Sequence, residues 1–168
     1  MELAGRARKF ALHAYGSEER LAHPLAVATL VESTGYPDEL VAAAVLHDVI
    51  EDTDVDAAQI AAEFGSRIAA LVATLTEDES IRSYSERKLD LRQRASAAGP
   101  DAALVFAADK ISNARRMRRR QKDPKERKIA HYEASLALLR AEHPGLPLLD
   151  QLGKELAALR ADLQRVPA

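Results

Sequence analysis

Seven successive residues, Leu40-Val41-Ala42-Ala43-Ala44-Val45-Leu46, are apolar without exception. With Pro37 before them as a helix opener, they predict a helix that has no face for water and must be surrounded by other elements. The composition supports this: alanine (33) and leucine (22) supply 55 of 168 residues, against 7 Gly, 7 Pro and 4% aromatics, which favours helix over sheet. With 47% hydrophobic and 30% charged residues the chain can fill a core and still face water, which excludes disordered and fibrous architectures. Its length leads us to expect one domain over residues 1–168, with a core at about 3–142 and a tail helix at about 148–165.

Punctuation divides the remainder into helices. The first is expected from Leu3 to Tyr15, stopped by Gly16, and a second opens at His23-Pro24 and closes at Gly35. Asp56 with Gln59 forms a capping-box pattern for a helix ended by Gly65, and another follows to about Leu75. Thr76 with Glu79 gives a further start, for a polar segment running to Ala98 before Gly99-Pro100. Asp101 begins a long helix through Arg120, Asp123-Pro124 begins the next, and His143-Pro144-Gly145-Leu146-Pro147 sets off the tail helix. No run shows period-two alternation and no segment repeats, so the fold class is all-α.

The absence of cysteine removes disulfides, thiolate metal sites and cysteine nucleophiles together, leaving histidine and carboxylate as the available metal ligands. No apolar run approaches the roughly 20 residues that cross a bilayer, and Met1-Glu2-Leu3-Ala4-Gly5-Arg6 lacks a signal-peptide stretch, so a cytoplasmic protein without a membrane partner is expected. The net charge of −2 conceals an asymmetry: Lys110 to Lys128 holds ten basic residues against Asp123 and Glu126. A cationic patch on an otherwise acidic chain points to a small polyanionic ligand rather than to nucleic acid. No heptad seam specifies an oligomer.

The chemistry collects where the apolar helix ends, at His47-Asp48-Val49-Ile50-Glu51-Asp52. On one continuous helix, positions i, i+1, i+4 and i+5 fall in a sector of about 140°, which would put His47, Asp48, Glu51 and Asp52 on one face. Three carboxylates there repel one another and oppose the helix dipole, penalties a bound cation would remove; the alternative is a solvated acidic helix end. His23 at the start of a helix and Asp109 within the apolar run Leu104-Val105-Phe106-Ala107-Ala108-Asp109-Lys110-Ile111 extend the set, and Asn113 and Arg116 continue the Asp109 stripe. Lys110 is adjacent to Asp109, but successive helix residues do not face each other. Two imidazoles and two carboxylates from three helices would suit Mn²⁺, Fe²⁺ or Zn²⁺. His13 and His143 are read as structural or solvated, and His131 beside Tyr132 could reach the site but is read as incidental. In the polar segment Glu77 to Arg94, Arg87 and Lys88 are the first candidates if it covers a pocket.

The order His, His-Asp, Asp resembles the signature of the HD metal-dependent phosphohydrolase superfamily. The blocks Ala22-His23-Pro24-Leu25-Ala26-Val27-Ala28, Ala44-Val45-Leu46-His47-Asp48-Val49-Ile50-Glu51-Asp52-Thr53 and Ala107-Ala108-Asp109-Lys110-Ile111-Ser112-Asn113-Ala114-Arg115 look like the hydrolase domain of RelA/SpoT proteins, and most like the stand-alone small alarmone hydrolases. The likeness covers about residues 3–142. It implies an HD-domain helical bundle with one Mn²⁺ held by His23, His47, Asp48 and Asp109, Glu51 and Asp52 as the catalytic acidic pair, and Asn113 against the nucleotide sugar. It also implies hydrolysis of the 3′-pyrophosphate of ppGpp or pppGpp to GDP or GTP and pyrophosphate. The metal of such a site lowers the pKa of a bound water from about 15.7 toward 7. Lys128 and Tyr132, spaced i, i+4, match a basic residue and a tyrosine that flank the nucleotide in that family. Arg116 and its basic neighbours through Arg120 and Lys122 follow Asp109 toward the outer phosphates, although consecutive helix residues radiate in every direction and Arg118 to Arg120 fit a solvated helix end.

One stretch departs from the family pattern. A longer loop with a basic pair and a Gly-x-Pro-Tyr-like turn is replaced by Tyr15-Gly16-Ser17-Glu18-Glu19-Arg20-Leu21-Ala22, whose single cation, Arg20, is its expected substrate contact. The departure bears on base and 5′-phosphate recognition and keeps two alternatives in view: an HD-type nucleotidase or phosphohydrolase for another nucleotide, such as an adenosine analogue or a 3′-phosphorylated nucleotide, and a non-catalytic nucleotide-sensing module. The length is expected to leave no room for the synthetase and regulatory domains of the long enzymes.

Overall fold

The computed structural model describes residues 2–120 and 126–164; Lys122 and the expected helix start at Asp123-Pro124 lie outside them. Among the described residues there is no strand. The helices are α1 (Leu3–Tyr15), α2 (Glu18–Glu32), α3 (Asp38–Leu46), α4 (Val49–Asp52), α5 (Ala57–Phe64), α6 (Ser66–Leu75), α7 (Tyr84–Ala97), α8 (Pro100–Arg120), α9 (Glu126–Glu142) and α10 (Leu149–Gln164).

The apolar run lies at the centre, as its composition requires. Every residue from Leu40 to Leu46 is buried, and α3 is enclosed by α1, α2, α6 and α8. The long α8 is the second pillar: Ala102 to Ala108 are buried, and α2, α6, α7, α9 and α10 pack around it. Because α8 emerges from this core with Asp109 still buried, its one acidic side chain in that region must be met by polar groups from neighbouring helices.

Three boundaries differ from the sequence reading. The second helix starts at Glu18, not at His23-Pro24: Ser17 caps it by accepting from the Arg20 amide at 3.3 Å, and Glu18 and Glu19 suit the positive end of the dipole. Pro24 is therefore inside the helix, where it gives up a backbone bond, and His23 projects from the helix flank. The helix through Leu46 does not continue to Asp52. Asp48 takes φ −103° and ψ 1°, in the bridge region, and α4 is a separate turn, so Glu51 and Asp52 reach the site from a kink rather than along one straight face. Finally, Thr76 starts no helix. Its hydroxyl donates back to the Val72 carbonyl at 2.9 Å, finishing α6, and α7 begins eight residues later behind Ser83.

The capping box at Asp56 and Gln59 forms with both of its hydrogen bonds, and Gly16 ends α1 with a left-handed φ of 71°. The tail helix docks on α8 and α9. Much of the basic run serves that docking: Arg115 donates to Glu155 at 2.7 Å and Arg118 to Asp162 at 2.8 Å. No described helix is long and apolar enough to cross a membrane.

Candidate metal centre and substrate pocket

Three segments converge beneath a cavity: the flank of α2, the α3–α4 kink and the middle of α8. They bring together His23, His47, Asp48 and Asp109, each offering one ligand atom, with all four atoms within 4.8 Å of one another. His23 Nε2 lies 3.0 Å from Asp109 Oδ1 and 3.5 Å from Asp48 Oδ2, while His47 Nε2 lies 3.1 Å from Asp48 Oδ1 and 3.7 Å from Asp109 Oδ1.

The second contacts of these residues set their orientation. His47 Nδ1 lies 2.9 Å from the Ala44 carbonyl, an acceptor, so Nδ1 is the donor and Nε2 of the neutral ring is a bare lone pair. That Nε2 is buried and has no hydrogen-bond partner among the described residues, yet it faces two carboxylates. A lone pair held against carboxylate oxygens is repulsive unless a cation stands between them, and the fit to a divalent ion rests on this observation. Without the ion a proton takes that place: burial alone would push the His47 pKa down, but Asp48 and Asp109 together outweigh it and raise it well above the ordinary value. His23 is similarly placed, with Nδ1 3.0 Å from Ser112 Oγ, and its pKa is also raised, the Asp109 and Asp48 carboxylates overcoming burial.

Asp109 receives Lys110 Nζ at 2.6 Å and Asn113 Nδ2 at 2.5 Å. Burial favours its neutral form, but Lys110 and the two imidazoles hold it ionised, well below the carboxylate range. The Lys110 contact corrects the expectation that adjacent helix residues cannot meet: the long side chain curls back beneath the Phe106 ring, 4.1 Å from its centroid. Asp48 is likewise held low, with His47 and then His23 overcoming its burial.

Glu51 behaves oppositely. Although its surface is exposed, it stands at the cavity edge beside Asp48, and desolvation followed by that negative charge raises its pKa to about 7. Its Oε1 accepts from the Glu77 amide, which joins α4 to the strand-free loop before α7. Asp52 is raised by the same two causes but does not line the cavity. Arg20 does not line it either. Its guanidinium donates to the Asp52 carbonyl at 2.6 Å and the Tyr15 carbonyl at 3.1 Å, bracing the α4 turn from behind.

The cavity has a volume of about 150 Å³. Asn113, Arg116, Lys128 and Tyr132 all line it, and Arg116 Nη2 donates to Asn113 Oδ1 at 2.6 Å. Lys88 lines it as well, paired with Glu77; burial and then Lys110 lower its pKa to about 8. Further wall residues are Phe106, Glu77, Tyr84 and Leu91. Phe106 stood in the apolar run one turn before Asp109, and the other three fell in the polar segment from Glu77 to Arg94 without being singled out as contacts.

This fold and this cluster define a class, and comparison with known proteins agrees: the HD domain family matches residues 1–136, and the chain belongs to that family. Among curated relatives, the mouse guanosine-3′,5′-bis(diphosphate) 3′-pyrophosphohydrolase MESH1 is 34% identical over 123 residues, covering 67% of this chain and 68% of the mouse protein. The human MESH1 is 36% identical over 99 residues, 58% of this chain and 55% of that protein. An Aquifex aeolicus protein of the same enzyme name is 34% identical over 116 residues, 64% of this chain but 17% of its own length. The match thus spans about half of the human relative and a small part of the bacterial one. Of solved structures, a Listeria monocytogenes protein superposes with TM-score 0.74 at 26% identity, over 82% of this chain and 94% of that one. A metazoan SpoT orthologue described as hydrolysing ppGpp gives TM-score 0.76 over 97% and 98% of the two chains; at 23% identity that likeness concerns the fold.

Proposed function

We propose that this chain is a cytoplasmic, manganese-dependent hydrolase that removes the 3′-pyrophosphate of ppGpp or pppGpp, releasing GDP or GTP and pyrophosphate. The observation that carries the reading is the clustering of two imidazoles and two carboxylates, two of the four residues buried and two half-buried, at the floor of a cavity walled by lysine and arginine, in a domain whose curated relatives bear that enzyme name. His23, His47, Asp48 and Asp109 would hold the ion; nitrogen and carboxylate donors suit Mn²⁺, with Fe²⁺ or Zn²⁺ as other occupants. When bound, the ion supplies Lewis acidity toward a phosphoryl oxygen and makes water a better nucleophile near neutral pH.

The remaining work falls to the chain itself. Glu51, at the cavity edge beside Asp48, is placed to accept a proton from water and return one to the departing 3′-oxygen. Asp52 supports it from outside the cavity, its backbone fixed by Arg20. Lys88, Arg116 and Lys128 supply positive charge for the phosphates, Asn113 is placed toward the sugar, and Tyr132 offers a ring at the wall. In this reading residues 3–142 form the working core and α10 braces it, as parts of one domain.

The test is incubation of metal-free protein with a nucleotide panel, with and without Mn²⁺, and separation of products by anion exchange. Pyrophosphate and GDP from ppGpp, absent for Asp109→Ala, is the expected result. A second reading has its own observation: Arg20, the one cation of the shortened stretch before His23, sits in the first turn of α2 and is engaged with two backbone carbonyls, so that stretch brings no positive charge to the cavity. This favours a different 3′-phosphorylated nucleotide or an adenosine analogue, and turnover confined to those members of the panel would establish it. Binding without turnover would mark a sensing module.

A further inference from the structure

One buried group in the pocket has no part in the scheme above. His131 on α9 is 5% exposed, and its ring lines the cavity edge-on to Phe106 and Tyr132, with centroids 6.3 and 5.5 Å away. Its Nδ1 lies 3.4 Å from Nη1 of Arg92 on α7. A guanidinium can only donate, so Nδ1 is the acceptor and the single ring hydrogen is on Nε2. Nε2 is buried and has no partner among the described residues. The ring stays neutral: burial foremost, then Lys110, Lys88 and Arg92, lower its pKa to about 2 against the weaker pull of Asp109. A neutral N–H is thus held ready in a cationic recess, and an unmade buried donor is costly enough to need an explanation.

The surroundings select its partner. Lys110, which bonds Asp109, also lies 4.1 Å from the Phe106 centroid and 5.5 Å from that of Tyr132, the two rings that His131 meets, so His131 stands on the same cavity wall just beyond Lys110 and these rings from the metal cluster. On the pyrophosphohydrolase reading, on which this inference rests, the phosphorus under attack lies at the cluster. Of the two groups flanking that phosphorus, the ribose is neutral and the terminal phosphate is anionic. We propose that His131 donates from Nε2 to an oxygen of the terminal phosphate of the 3′-pyrophosphoryl group, and so selects nucleotide 3′-diphosphates over 3′-monophosphates. Arg92 is its positioning residue, fixing the tautomer through Nδ1. A neutral donor among full charges adds direction to the site, because it favours an oxygen in one place where lysines accept an anion in many.

The experiment compares wild type, His131→Leu and His131→Gln as full-length, Mn²⁺-loaded proteins. Steady-state kinetics are measured with ppGpp and with the nucleotide carrying a single 3′-phosphate, and binding of pyrophosphate and orthophosphate is measured by calorimetry. His131→Leu is expected to raise KM for the 3′-diphosphate and Kd for pyrophosphate by about tenfold, the worth of one lost hydrogen bond. KM for the 3′-monophosphate and Kd for orthophosphate should stay within about twofold. His131→Gln, which keeps an N–H at similar reach, should recover most of the loss. Unchanged pyrophosphate binding in a His131→Leu protein that melts like wild type overturns the inference, as does an equal loss for both substrates, which marks a merely structural role. If His131→Leu does not fold, His131→Phe, a ring without a donor, decides: a loss of pyrophosphate binding of about tenfold with orthophosphate binding kept supports the donor, and wild-type pyrophosphate binding overturns it. Should the wild type hydrolyse no 3′-diphosphate, the functional reading fails on its own, and pyrophosphate binding still decides the role of His131.

Discussion

The floor of the pocket and the stretch that precedes His23 are built on opposite plans. At the floor, His23, His47, Asp48 and Asp109 come from three segments and converge within a few ångströms, and three of them have a further contact, to Ser112, Ala44 or Lys110 and Asn113. In the stretch from Tyr15 to Ala22, which folds as a short turn and the first turn of α2, the only cation, Arg20, is turned away to brace α4, next to Glu18 and Glu19. The contrast shows where this fold places rigidity. On the proposed function, bond-breaking chemistry falls to the helical core, where a displaced side chain would leave a buried charge unpaired, and recognition to side chains on α7, α8 and α9 across the cavity.

The sharpest way to break that contrast is to remove a floor residue. Asp109→Ala deletes a ligand and leaves Lys110 buried without its partner, so activity should fall by at least about 10³-fold and stability by about 3–5 kcal/mol, read from product formation and urea unfolding. Retained turnover would show that the cluster is not the reaction centre. Next in size is Glu51→Gln, expected to lower kcat by about 10²–10⁴-fold with KM little changed, as for a lost proton-transfer group.

The same residue yields a stability signature. Its pKa of about 7 in the folded protein exceeds the unfolded value, so the folded state binds the proton more tightly and wild type loses stability as pH rises from the unfolded value through about 7. In chelator, Glu51→Gln should therefore melt higher than wild type at pH 8 by about 2–4 °C, equivalent to roughly 1 kcal/mol in a domain of this size, with no gain at pH 4. A constant difference across pH would assign the effect to something other than this carboxyl.

Arg20→Ala sharpens the other side of the comparison. A brace behind α4 predicts a fall in kcat of about tenfold with KM unchanged, because Asp52 and Glu51 lose their support. A rise in KM alone would make Arg20 a substrate contact, as its sequence position suggests. The smallest effect belongs to Arg118→Ala, whose exposed pair with Asp162 is worth about 0.2–1 kcal/mol and should leave kinetics untouched.

Much of the floor was legible in the sequence because its signals are categorical. A helix apolar all round must be buried, and histidine and aspartate at its end or within the apolar stretch of α8 must be met by something polar. The all-α class and the capping box at Asp56 were legible for the same reason: each depends on neighbours within a few residues. The kink at Asp48 was not, since nothing local to His47-Asp48-Val49 interrupts what reads as one continuous helix to Asp52. Nor was the start of α2, where Ser17 competes as a cap with the stronger-looking His23-Pro24 pair. The curl of Lys110 back onto Asp109 and the recess around His131 depend on which helices become neighbours, information that no local spacing carries.

The most direct test of the central claim is anomalous diffraction from crystals of the protein grown with Mn²⁺, collected on both sides of the manganese edge. One peak is expected among His23 Nε2, His47 Nε2 and the carboxylates of Asp48 and Asp109, at about 2.0–2.3 Å from each ligand atom. No peak there in a crystal whose manganese binds elsewhere or not at all would contradict the account.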